Sequence, residues 1–195
     1  MRNYLQTAIS VICLMLMPAY ALAQAFGIQQ GTSVEELDVV EDLGGGRYIV
    51  NVPSPHSEFE VYVVWASDTQ GLCLVRGVGK NHDNDRYGQS VRTAFDKLER
   101  ALEERYGEFG KGDFLNAGAL WDEADEWVMA IHQSERVYQS VWDAESGSDL
   151  PDSIVEIILN IDAVSSSSAW IGLQYRMANF DECQQELEAL DSQGL

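Results

Sequence analysis

The sequence predicts an α+β fold: an antiparallel sheet of about six strands with helices packed on one face, a two-layer sandwich. Three patterns carry that prediction. Apolar residues alternate over 59–65, and again over 154–161 and 171–177, which is the period of a strand with one face in a core. Val91, Phe95, Leu98, Leu102 and Tyr106 recur at helical spacing, with charged residues on the opposite side. The connections between predicted strands are short and polar, as antiparallel neighbours allow.

In chain order, Ser33 caps a first helix and Glu36, three residues on, closes a capping box. Val34, Leu37 and Val40 give this helix an apolar stripe, and Gly44-Gly45-Gly46 stops it. Strands follow over 48–52, 59–65 and 72–78, the first two separated by Pro53-Ser54-Pro55 and the last two by Asp68-Thr69-Gln70-Gly71. The polar stretch 81–85 leads into the clearest helix, 87–106, for which Gly107 is the expected stop. Residues 111–120 read as loop with a helical turn, and 122–133 as a short helix. Residues 136–142 either continue that helix or form a strand, and their β-forming composition favours the strand. Strands at 154–162 and 171–177 flank the serine loop 165–168. Asn179 to Glu182 caps a last helix with Phe180, Cys183, Leu187 and Leu190 on one stripe.

Residues 1–23 have the order of a cleavable secretory signal peptide: Arg2 near the start, an apolar stretch from Ala8 to Met17, then Ala21-Leu22-Ala23. Cleavage is expected after Ala23, with Ala25 as the alternative. The apolar stretch is shorter than the roughly 20 residues a spanning helix needs. No later segment reads as a membrane helix, so no membrane insertion is expected once the leader is removed. What remains, 24–195, reads as a single acidic α+β domain, periplasmic or secreted. Cys73 and Cys183 are the cysteines outside the leader, and an even count in an exported chain predicts a disulfide between them.

The chain carries 12 Lys+Arg against 32 Asp+Glu, a net charge of −20. Phosphate backbones and anionic lipid repel such a chain, so nucleic acid is excluded as a partner class. A protein or other partner, basic in character, fits the charge.

The chemistry-bearing residues form no catalytic signature. Asp83 and Asp85, in Asp83-Asn84-Asp85-Arg86-Tyr87-Gly88, match the front of a calcium loop, but Ala94 stands where the bidentate glutamate belongs. They are weak candidates, and no metal or other cofactor is expected. His56, His82 and His132 are far apart in sequence and lack the two-histidine spacing of a zinc helix. No nucleophile elbow or phosphate-binding glycine loop occurs. Trp170 falls on the side of its strand opposite the apolar face, beside Gly172, Gln174 and Arg176. Trp170 and Arg176 are therefore the candidate partner-binding residues.

In the strand around Gly71-Leu72-Cys73, in the helix from Phe95 to Gly107 ending in Tyr-Gly, and in Tyr175 to Cys183, the chain resembles a family of exported bacterial proteins with no assigned activity. Phe26 to Leu37 is similar to the opening helix of BamE-like and β-lactamase-inhibitor-like modules, which implies a small binding or inhibitor domain. No lipobox cysteine ends the leader, so that similarity implies no lipid anchor here. The expected function is thus a non-catalytic binding module. The alternatives are an extracytoplasmic hydrolase with a site assembled from distant Asp, Glu and His, and a cation-binding protein.

Overall fold

The computed structural model describes residues 24–193, and the leader expected over 1–23 lies outside them. A small hairpin, β1 (Gln24–Ala25) and β2 (Ile28–Gln29), precedes a 3-10 turn at Val34–Glu36. There follow β3 (Asp38–Gly44), β4 (Arg47–Asn51), β5 (Phe59–Ser67), β6 (Gly71–Gly79) and α1 (Gln89–Tyr106). The second half holds β7 (Gly110–Leu115), α2 (Trp127–His132), β8 (Arg136–Trp142), β9 (Ile154–Ser165), β10 (Ser168–Met177) and α3 (Phe180–Gln193). The main sheet is antiparallel with the order β3-β4-β5-β6-β10-β9-β8-β7.

The sheet has eight strands rather than about six, and the two extra strands are its two edges. The Ser33 box forms, with Glu36 accepting from the Ser33 N–H at 3.1 Å. However, the helix it was expected to start is one 3-10 turn, after which the chain becomes β3, exposed along its whole length. At the other edge, 110–115 is strand rather than loop, paired with β8 from Gly110 opposite Val141 to Leu115 opposite Arg136. Residues 136–142 are the strand their composition favoured.

Helices α1 and α2 lie on one face. Phe95, Leu98 and Leu102 pack there with Val64, Val75, Leu159 and Ile171 in the main core. Helix α3 lies on the other face, so the expectation that every helix shares one face is corrected. The cause is local. Trp65 pairs with Leu74 and Ala66 with Leu72, which leaves Cys73 as the extra residue of a bulge. The bulge lets Cys73 join Leu74 on the far face, and with Trp65, Phe180, Cys183 and Leu187 they form a second, smaller core. The expected Cys73–Cys183 disulfide is present there, with 6.3 Å between Cα atoms.

Gly88 shows how tightly α1 is seated. It precedes the helix at φ +68°, and a Cβ there would lie 2.2 Å from the Trp127 ring. The close approach lets Arg92 stack 4.9 Å from the centre of that ring.

Candidate functional site

On its second face the sheet is covered by α3 only over β5 and β6. Strand alternation sends Ile49, Val61, Val63, Val78, Ile158 and Val141 to this face, where each is half-buried with no helix of the described residues over the middle of the sheet. Apolar side chains grouped on the open face of a sheet are a kind of patch through which proteins meet other molecules.

Trp170 stands on this face, as its place in the alternation predicts. Arg76, from the neighbouring β6, lies 5.5 Å from the centre of its ring. Arg76 also faces Asp162 at 3.4 Å, Asn160 at 3.5 Å and Gln174 at 3.5 Å. Gly172 makes the arrangement possible, since a Cβ there would come within 2.5 Å of Asn160 Oδ1 and 2.9 Å of Arg76 Nη2. The guanidinium therefore lies flat across β10, held by long contacts that leave its donors available to a partner. Arg76 was missed in the sequence; its signal is a single arginine inside the apolar run 72–78.

Arg176 shares the face with Trp170 but is engaged elsewhere. Its Nη2 donates to Asp181 at 2.6 Å, its Nη1 lies 3.9 Å from Glu156, and its guanidinium sits 4.5 Å from the Phe180 ring. These contacts fasten the first turn of α3 to the end of β10.

Asp83 and Asp85 serve separate local roles. Asp83 accepts from the Ser168 hydroxyl at 2.6 Å. Asp85 accepts from the Gln89 N–H at 2.7 Å and the Val91 N–H at 2.9 Å, satisfying two of the free donors at the start of α1. No group of three or more metal-ligating side chains occurs among the described residues.

His82 links Glu58, 24 residues before it, to Ser90, eight residues after it in the first turn of α1. Its Nε2 is 2.8 Å from Glu58 and its Nδ1 is 2.9 Å from the Ser90 hydroxyl. A carboxylate only accepts, so in the neutral ring the proton sits on Nε2 and the Nδ1 lone pair accepts from Ser90. His82 and Glu58 are nearly buried, with side-chain exposures of 9% and 12%. Lys80 Nζ lies 3.6 Å from the second Glu58 oxygen.

A cleft of about 380 Å³ opens on the first face, between the β1–β2 turn, residues 54–59, the C-terminal half of α1 and β10. Its floor is apolar, and Ser54, His56 and Arg105 stand among its polar lining. Phe26 at the hairpin tip makes edge contacts with Phe59, Tyr62 and Tyr175 at ring-centre distances of 5.5, 4.8 and 5.5 Å. Behind the cleft, the Tyr106 hydroxyl is buried without a hydrogen bond of good geometry. Burial raises the Tyr106 and Tyr175 hydroxyls above the ordinary phenol range, and the Arg105 charge works against both shifts.

Comparison of the chain with family models, curated proteins and solved structures finds no match.

Proposed function

We propose that this protein is a non-catalytic binding module that works outside the cytoplasm, either in the periplasm or secreted. One observation carries the reading: the open sheet face, with Trp170 and Arg76 at its centre and half-buried aliphatic residues around them. An aromatic and an arginine side by side are the residue types that dominate binding energy at protein interfaces. The acidic remainder of the chain suits a partner with a basic rim around an apolar centre. The disulfide supports an oxidising compartment. Among the described residues, no helix is long and apolar enough to cross a membrane.

Photo-cross-linking in the expressing cell tests it. A photoreactive residue in place of Gln174, beside Arg76, is expected to yield a discrete adduct. The same residue in place of the exposed Lys97, on α1, is expected to yield none. Absence of an adduct at position 174 would count against a partner on this face.

The Glu58–His82–Ser90 chain favours a second reading, an extracytoplasmic hydrolase. A serine hydroxyl bonded to a histidine that is itself oriented by a carboxylate is the arrangement that activates a nucleophile. The ring nitrogens are exchanged relative to the usual serine triad, and Ser90 does not line the cleft described above. A fluorophosphonate probe that labels the protein, but not Ser90→Ala, would establish this reading; no labelling would leave His82 as a structural tie.

A further inference from the structure

We infer that the cleft beneath the β1–β2 hairpin binds a small amphipathic carboxylate, its aromatic or aliphatic body on the floor and its carboxylate at Arg105. Four observations meet in this cleft.

The first is shape. About 380 Å³ lies in an open cleft between a helix, a sheet and two loops, within the range of small-ligand sites. The floor is supplied by Phe26, Phe59, Leu98, Leu102, Leu173 and Tyr175, so a ligand's body would leave water for an apolar surface.

The second is charge. Arg105 is an exposed arginine in a chain of net charge −20, and it has no ion pair among the described residues. Most other arginines of the structure pair with acids or lie across aromatic rings. Arg105 lies 5.1 Å from the centre of the Tyr106 ring and lowers the proton affinity of both phenols behind the cleft. Its forked donors remain available at the cleft wall, in the geometry that suits a carboxylate.

The third is a second donor with a fixed direction. His56 Nδ1 accepts from the Glu58 N–H at 3.1 Å, so in the neutral ring the proton is on Nε2, the atom away from the backbone. Two donors in the lining, Arg105 and His56, suit a ligand head group that accepts.

The fourth is stored strain. Phe26 adopts φ +52°, a left-handed conformation costly for a bulky residue, and is held there by its three aromatic contacts. Gly27 follows at φ +88°, where a Cβ would meet Pro53 and Ser54 at 3.0 Å. The hairpin tip is thus fixed as one wall of the cleft.

The probe is 4-phenylbutyrate, with 4-phenylbutan-1-ol as its uncharged partner and acetyl-Gly-Gly-Phe as a peptide carboxylate, titrated by calorimetry against the full mature chain. The account expects the acid to bind and the alcohol to bind about tenfold more weakly, the size of one charge-assisted contact. Arg105→Gln is exposed and should fold normally. It should lose about tenfold for the acid and leave the alcohol unchanged. No binding by the acid, equal binding of acid and alcohol, or an Arg105→Gln variant that binds the acid normally would each overturn the proposal. Binding of the peptide alone would also overturn it, in favour of a protein C-terminus.

Discussion

Tyr138 shows how a single side chain reports its surroundings. Its hydroxyl is pushed up to about 12, first by burial and then by the nearby negative charges of Asp96, Asp113 and Glu99, with Arg92 opposing. A raised phenol constant means the folded state holds the proton more tightly than the unfolded chain. That contribution to stability is therefore complete below pH 10 and is lost as pH rises towards about 12. Tyr106, Tyr175 and Tyr48 shift in the same direction, burial coming first in each. Urea unfolding followed from pH 9 to 12 should show stability falling across this window, and Tyr138→Phe should flatten the fall. A slope that Tyr138→Phe leaves unchanged would show that this hydroxyl does not contribute. Side-chain roles of this kind were only partly legible in the sequence. Trp170 could be placed by alternation because its strand is regular from Ala169 to Arg176. The Glu58–His82–Ser90 contacts could not, because three segments separated by turns bring those residues together and no spacing records it.

Among the elements, β9, β10 and α1 were legible because each keeps one drier face, which imprints a period on the sequence. In β5 the alternation located the strand but not its core face, since Tyr62 and Val64 enter the main core while Val61 and Val63 lie half-buried on the open face. Edge strands β3 and β7 have no such imprint. In β3 all seven residues are exposed, and the Ser33 box and Val34-Leu37-Val40 spacing gave a helical signal that the sheet edge overrode. The bulge at Cys73 was equally silent, yet it decides which face receives α3. Outside its first turn α3 is held by few apolar groups, and Leu190 is exposed. The disulfide, together with Glu186 accepting from the Ser67 and Thr69 hydroxyls at 2.6 Å each, accordingly anchors it. The disulfide closes a separation of 110 residues, which on the chain-entropy account stabilises the fold by about 4–5 kcal/mol. Cys73→Ala with Cys183→Ala should lower unfolding stability by up to that amount. Amide exchange in α3 should rise well above that in α1, and Trp65 fluorescence should change as its stacking on Phe180, 5.8 Å between ring centres, loosens. Equal protection of the two helices in the double variant would show that α3 is held without the disulfide.

At the scale of the molecule, the two faces of the sheet divide the work. One is filled by α1 and α2 and carries the main core. The other is dry only where α3 sits and is otherwise an open field of aliphatic side chains around Trp170 and Arg76. A net charge of −20 favours basic over acidic surfaces as neighbours of such a chain. The open face is thus the feature of the fold that a stability argument leaves unused, and the account assigns it to a partner. The most direct test uses the partner captured by cross-linking at position 174. Its affinity is measured against the wild-type chain, Trp170→Ala and Arg76→Gln, with the melting temperature of each recorded. The account predicts that each substitution weakens binding by about tenfold or more, the scale of an interface hot spot, while the melting temperature stays close to wild type. Unchanged affinity in both variants would contradict it.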